Sequence, residues 1–496
     1  MRWDIDWIEK RAQLTPFKSA IIDGDTQKRW SYREINQRAH SLACFFMEQG
    51  IKKGDRVALL SPNDISYFDF IFACLKIGAI FVPLNWRLSV HELNQIIEDC
   101  TPKLLGYHSR FNDLMNEELA SIQVDHQDYE AIFINQELAY AINVDETHPW
   151  TIIYTGGTTG KSKGVVLTHA NIQWNALNTI VSWNLSADDV TLTYLPMFHT
   201  GGLNALTIPI LVMGGTVLFS RDFDAENAIH LIEKESCTIL LMVPTMYHLI
   251  SQTTAFEKAT FQSVKTFLSG GAPCPLTIYE AFSKKGIAFK EGYGLTEAGP
   301  NNFYIDPNEA KKRNGSIGKP MMFNKVKILK TDGSSANVNE VGELLLDGNH
   351  VFDHYWNNKE ATRQTIIDGW LHTGDLAKFD EEGYFYIVGR KKEMIITGGE
   401  NVYPLEVEQC IQNHPAVFEV AVVGLAHPKW GEAVTAFISV LPGQSLTLEE
   451  IQQFCLSKLG KYKVPKYFNI MRELPKTHVG KIDKKYLQTE YQSIVS

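Results

Sequence analysis

The chain has 496 residues, 44% of them hydrophobic and 21% charged, with a formal net charge of −10. That length exceeds one ordinary core, so at least two domains are expected. The acidic balance argues against a nucleic-acid-binding protein, whose affinity would come from clustered Lys and Arg, but it leaves room for a local basic groove.

Helical and β-rich runs alternate through the first part of the chain. The N-terminus carries Asp4, Asp6 and Glu9 where a signal peptide would have its apolar stretch, so a cytoplasmic location is expected. Helix spacing at 31–49 is followed by a strand at 56–61, a helix at 66–77, a strand at 79–83 and a helix at 89–99. Residues 111–146 are polar, weakly patterned and expected at the periphery. From 152 to 289 the alternation resumes, with strands at 190–195, 216–219, 239–243 and 266–269 and helices at 204–212, 225–235 and 245–252. Strands alternating with helices imply parallel, doubly wound sheets. The longest apolar run, 205–219, is broken by Pro209 and by Gly214-Gly215; it is short for a membrane span and reads as a buried helix and then a strand. After Ile317 short strands dominate, at 325–329, 342–347, 376–379 and 384–388, as in a small antiparallel barrel or sheet. From Lys391 a third, α+β region begins, with a helix at 404–413, a strand at 419–424 and a helix at 448–459. The seven cysteines are scattered with no C-x-x-C pair, which speaks against zinc and against a disulfide framework.

Residues 154–164 read Tyr-Thr-Gly-Gly-Thr-Thr-Gly-Lys-Ser-Lys-Gly. Glycines let a backbone bring its N–H groups up to an anion, threonines add donors and lysines add counter-charge, as a polyphosphate requires. A P-loop would need its first glycine at 155, which is Thr155. The stretch instead resembles the phosphate loop of the adenylate-forming superfamily of acyl-CoA synthetases, luciferases and carrier-loading adenylation domains. That pattern is Tyr-Thr-Ser-Gly-Thr-Thr-Gly-x-Pro-Lys-Gly. The chain departs from it at Gly156 and Ser162 and keeps Thr155, Gly157, Thr158, Thr159, Gly160 and Lys163.

Further motifs follow in the superfamily's order. Ser269-Gly-Gly-Ala-Pro273 ends a strand; its residues suit either a tight turn or edge-on approach of adenine, and the resemblance makes Gly271, Ala272 and Pro273 adenine contacts. In Gly292-Tyr-Gly-Leu-Thr-Glu297 the resemblance gives Tyr293 and Gly294 to adenine, Thr296 to phosphate and Glu297 to Mg2+, with Thr155 a second metal contact. Leu195-Pro-Met-Phe-His199 resembles the motif whose ring borders the acyl pocket, which makes His199 the candidate gate. Asp375 and Arg390 match the ribose-binding pair, Lys392 the interdomain hinge, and Gly398 and Gly399 the loop presented to the pantetheine arm of CoA. Lys481, in Pro475-Lys-Thr-His-Val-Gly-Lys481, matches the lysine that reaches the substrate carboxylate and α-phosphate.

The resemblance implies a large N-terminal domain, residues 1–390, of two doubly wound subdomains and a β-barrel, and a small mobile α+β domain, residues 391–496. It implies an ATP- and Mg2+-dependent acid–thiol ligase, with CoA as the expected thiol, and it leaves a homodimer open. By family placement Phe198, Asn204, Met242, Asn301, Asn302 and Phe303 line the acyl pocket. A fatty acid is the expected substrate, and an aryl acid or o-succinylbenzoate the alternative. An NTPase built on the same loop is the competing class.

Overall fold

The computed structural model describes residues 5–114, 119–133, 144–156, 162–271, 274–287, 289–313, 315–477 and 482–495. Contacts divide it into two compact units. The first comprises Met1–Cys274, Ile278–Lys325 and Leu346–Leu371, and the second Pro275–Thr277, Val326–Leu345 and His372–Ser496.

In the first unit, a seven-stranded sheet runs in the order His354–Tyr355, Lys163–Thr168, Pro149–Thr155, Ile80–Pro83, Arg56–Leu60, Leu104–Tyr107, Ser121–Gln123. Its strands are parallel from Pro149–Thr155 onward, while the first two pairings are antiparallel. A second set comprises Arg29–Ser31, Ser19–Asp23, Thr216–Phe219 and Val190–Thr193. The parallel trio Ile239–Met242, Thr266–Ser269 and Phe289–Glu291 lies beside it, because Thr238 N donates to Val190 O at 2.8 Å.

Helix Ile65–Ile77 is buried along all 13 of its residues. Its run of Ile, Phe, Tyr and Leu leaves no polar face, so it lies within the core. Asp64 caps its start and Gly78, at φ 69°, ends it. Its Asp69 is paired by Arg38 through two contacts, at 2.9 and 2.8 Å, and accepts from Tyr129 Oη at 2.9 Å. The segment 111–146 is therefore not wholly peripheral: Tyr129 is fully buried, because its hydroxyl completes this ion pair.

The helix expected over 204–212 is broken into Thr200–Asn204 and Thr207–Met213. Pro209 has no N–H and is tolerated only in a first turn, so the helix restarts at Thr207.

Helix His169–Trp183 begins with a capping box between Thr168 and Asn171. His169 is fully buried and stacked on Trp150 (centroids 5.1 Å apart), and neither ring nitrogen has a hydrogen-bond partner among the described residues. Burial pulls its pKa down to about 3, and that of buried His350 to about 4. Both folded values lie below the unfolded 6.5. The unfolded chain therefore binds more protons as pH falls below 6.5, and stability drops by about 1.4 kcal/mol per pH unit per imidazole until each folded pKa is reached. Urea unfolding midpoints should fall between pH 7 and pH 5. The decline should be shallower in His169→Phe, and an unchanged slope in that variant would count against the assignment.

Lys325–Leu329, Gly342–Asp347, Trp370–Phe379 and Phe385–Arg390, most of whose residues belong to the second unit, lie side by side in a curled sheet. The strand expected at 376–379 extends back to Trp370, so Asp375 lies inside a strand and not at a turn. The C-terminal sheet is built on Gly431–Val440, antiparallel to Val417–His427 and parallel to Tyr467–Met471. Helices Pro404–Gln412 and Leu448–Leu456 cover it through Val407, Ile411, Ile451 and Cys455. The class is as expected: helix-covered parallel sheets, then a curled antiparallel sheet, then an α+β region.

Candidate active site

The phosphate-loop residues sit on a hairpin in the first unit. Pro149–Thr155 pairs antiparallel with Lys163–Thr168, with Thr155 opposite Lys163 and Thr155 Oγ1 3.5 Å from Lys163 O. A P-loop leads from its glycines into a helix; here the chain returns as a strand, which removes the P-loop alternative. Gly164 cannot carry a side chain, because a Cβ would lie 2.8 Å from Ile152 Cγ2 and 3.1 Å from Trp356 Cβ. Gly156 is open, while Gly157, Thr158, Thr159 and Gly160 lie outside the described residues.

A second strand end converges on the same unit. Gly292 N donates to Ser269 O at 2.9 Å, which sets Gly270 and Gly271 beside Tyr293. Gly271 has φ 81°; Ala272 and Pro273 lie outside the described residues. Tyr293 is half-buried, with Phe303 edge-on at 5.7 Å. A Cβ on Gly294 would lie 2.1 Å from Pro300 O, so this position has room only for glycine. Glu291, which sequence reasoning passed over, is half-buried; it accepts from Tyr279 Oη at 2.8 Å and from Cys274 N at 3.2 Å and so anchors Cys274. Burial pushes its carboxyl up to about 7.

Thr296–Ala298 forms a single 3-10 turn. Glu297 Oε1 accepts from Tyr355 Oη at 2.8 Å, and Lys163 Nζ lies 4.9 Å from the centre of the Tyr355 ring. The candidate metal carboxylate and the candidate phosphate lysine thus meet at one tyrosine. Sequence reasoning missed Tyr355, and only its aromatic neighbours in His354-Tyr-Trp356 marked the stretch. Among the described residues, no cluster of three His, Cys, Asp or Glu could cage a metal, and Glu297 Oε2 has no partner. That suits Mg2+, which is held by one or two carboxylates together with substrate phosphates.

The acyl-pocket candidates fall into an aromatic cluster and a set of buried amides. His199 and Phe198 rings lie 4.4 Å apart, and Trp86 meets Phe198 edge-on at 6.1 Å. A Cβ on Gly202 would lie 2.3 Å from Pro196 O. Asn204, Met242, Asn301, Asn302 and Phe303 are buried. Asn301 Nδ2 donates to Thr179 Oγ1 and Ala205 O, and Asn302 Nδ2 to Ala298 O and Gly299 O. Asn204 Nδ2 donates to Thr200 Oγ1, leaving its Oδ1 without a partner. These amides fix the 298–303 segment in place.

In the second unit, Asp375 and Arg390 face each other across the strand pair, with Arg390 Nε 2.7 Å from Asp375 Oδ1. Glu343 accepts from Lys391 Nζ at 2.9 Å, lies 3.2 Å from His372 Nδ1 and accepts from Gly374 N at 3.3 Å, bracing both flanks of that pair. Burial opposes its ionisation, yet the hydrogen bonds from Lys391 and His372 hold its carboxyl below the usual range. Lys392 is the middle residue of the 3-10 turn Lys391–Glu393. Gly398 and Gly399, at φ 60° and 87°, form the two-residue turn between Ile395–Thr397 and Glu400–Val402. Positive φ at both positions is what a primed hairpin turn demands. Lys481 lies outside the described residues.

Comparison with known proteins agrees with this layout. The AMP-binding enzyme model matches residues 8–356, and the model of the AMP-binding enzyme C-terminal domain matches residues 406–481. A feruloyl-CoA synthase from Amycolatopsis sp is 35% identical over 480 residues, covering 96% of this chain and 97% of that protein. A long-chain-fatty-acid–CoA ligase of Mycobacterium tuberculosis is 34% identical over 505 residues, covering 99% of each. The crystal structure of ATP-bound MatB from Rhodopseudomonas palustris superimposes with a TM-score of 0.92 at 30% identity, covering 100% of both chains. The chain belongs to the AMP-binding enzyme family, in its acid–CoA ligase branch. Among the described residues, no helix is long and apolar enough to cross a membrane.

Proposed function

We propose that the chain is a cytoplasmic ligase that joins an aromatic carboxylic acid to CoA at the expense of ATP. A carboxylate oxygen of the acid attacks the α-phosphorus, and acyl-AMP forms as pyrophosphate leaves. The CoA sulfur then attacks the acyl carbon, and AMP departs as the thioester forms.

The reading is supported above all by the meeting of Lys163 and Glu297 at Tyr355, which places a cation and a carboxylate beside a glycine-rich hairpin. In the first unit, Thr155, the glycines of the loop, Lys163 and Thr296 hold the phosphates, and Tyr293 packs against adenine beside Gly271, Ala272, Pro273 and Gly294. Glu297, with Thr155, would hold Mg2+, which when bound offsets charge on the triphosphate. In the second unit, Asp375 accepts from the ribose hydroxyls, held from behind by Arg390. Lys481 stabilises the charge that develops between carboxylate and α-phosphate. Gly398 and Gly399 let the pantetheine arm pass, and His199 borders the acyl group. The domains divide at about 390–391, with Lys392 as the hinge of a mobile C-terminal domain.

The aromatic character of the acid is supported by the cluster of Trp86, Phe198 and His199 rings and by the feruloyl-CoA synthase that is 35% identical. A fatty acid is the second reading, favoured by the fatty-acid ligase that is 34% identical. A panel of a hydroxycinnamate, a benzoate, octanoate and palmitate tests this, with ATP, Mg2+ and CoA and with AMP and pyrophosphate as readouts. The aryl acids should give the highest kcat/KM. ADP and phosphate as products would overturn the whole reading, and palmitate as best substrate would overturn only the aromatic assignment.

A further inference from the structure

We infer that Tyr355 is a positioning residue of adenylation: its hydroxyl aims the Glu297 carboxylate, while its ring holds the Lys163 ammonium apart from that carboxylate. This rests on the reading of Glu297 and Lys163 as the metal and phosphate contacts.

Tyr355 is itself held rigidly. Its strand pairs antiparallel with the outer strand of the phosphate hairpin, with Tyr355 opposite Val165 and His354 opposite Val166. Asp353 N donates to Val166 O at 3.1 Å and Trp356 N to Gly164 O at 2.7 Å. On the other side, Phe352 N donates to Glu297 O at 2.8 Å. Tyr355 N donates to Thr362 Oγ1 at 3.0 Å, and the Phe352 ring packs 4.8 Å away. Only 5% of the residue is exposed. The short segment 352–356 therefore ties the phosphate hairpin and the Glu297 turn to each other.

From that anchor the side chain does two things. The hydroxyl occupies Glu297 Oε1, which fixes the plane of the carboxylate and leaves Oε2 as the oxygen available to a cation. The ring face takes Lys163 Nζ at 4.9 Å. With the ammonium on the ring face and the carboxylate at the hydroxyl, neither charge is tied up in an ion pair that a nucleotide would have to break. Lys163 makes no ion pair among the described residues; it rests on the ring instead.

Two substitutions separate the two roles. Tyr355→Phe keeps the ring and loses the hydroxyl; Tyr355→Leu loses both. ATP binding is measured by calorimetry without acid, with and without Mg2+, so that no turnover is needed. The wild type should bind ATP more tightly with Mg2+. Tyr355→Phe should bind Mg2+-free ATP within about twofold of the wild type, but lose about tenfold of the affinity gained from Mg2+, as expected for one charged hydrogen bond. Tyr355→Leu should also weaken Mg2+-free binding, because Lys163 is then free to pair with Glu297. Thioester formation from synthetic acyl-AMP and CoA involves no triphosphate and should be retained in both variants, which also shows that they fold. Wild-type Mg2+ dependence in Tyr355→Phe would overturn the inference. So would equal loss of ATP binding and thioester formation in both variants, which would mark Tyr355 as a packing residue. A wild type that binds no ATP would instead overturn the functional reading beneath it.

Discussion

A Lys392→Pro enzyme should form acyl-AMP and stall before the thioester, whereas a Lys481→Ala enzyme should fail at acyl-AMP yet convert synthetic acyl-AMP to thioester. Lys392 sits in a single 3-10 turn between Arg390, at φ −95° and ψ 135°, and Met394, at φ −58° and ψ 127°. Extended residues flank this one short turn, as the proposed hinge at Lys392 requires. Proline fixes φ near −65° and biases the preceding Lys391 towards extended backbone, so two consecutive residues lose rotational freedom. Lys481 is proposed to act only while negative charge is rearranged around the α-phosphate. Loss of one such group costs about a hundredfold or more in rate. Pyrophosphate release reads the first half-reaction, and thioester formation from supplied acyl-AMP the second. Equal loss of both in both variants, with native circular dichroism, would reject the rotation.

Asp69→Ala should destabilise the first unit by about 3–5 kcal/mol, the cost of leaving a buried charge without its partner. The Asp69 side chain is fully buried and that of Arg38 is 9% exposed. Glu130, 50% exposed and 3.1 Å from Arg38, is a poor substitute because solvent screens it. Urea unfolding should show the shift directly. An Arg38→Met, Asp69→Leu double variant should recover much of the loss, because an apolar pair of similar volume needs no desolvation.

Much of this architecture could be read from the sequence. The strands at 216–219, 266–269, 325–329 and 342–347 stand where their short apolar runs and flanking turns put them. Helix Tyr32–Glu48 starts at Ser31, whose capping box with Glu34 is a local signal. What escaped notice depends on residues distant in the chain. His354–Tyr355 is too short to show a period, and it becomes a strand only because Lys163–Thr168 offers it an edge. Glu343 looks like any solvated acid until Gly374 on the neighbouring strand and Lys391 in the following 3-10 turn close on it. The candidate site followed the same division. Glycine-rich loops announced themselves by composition, whereas Tyr355 and Glu291, which touch the residues flanking those loops, carry no motif of their own beyond their neighbours.

The late position of His354–Tyr355 in the chain also matters while the protein is being made. Lys163–Thr168 is buried along most of its length, and its outer edge pairs with His354–Tyr355. On the ribosome that strand emerges long before its cover. Until then its unpaired N–H and C=O groups offer a template to any other extended chain. A nascent chain stalled before residue 354, or a fragment cut there, would keep an exposed Val165-Val-Leu167 edge. Such a fragment should be drawn into aggregates or bound by chaperones, and supplying the missing segment in trans should suppress both.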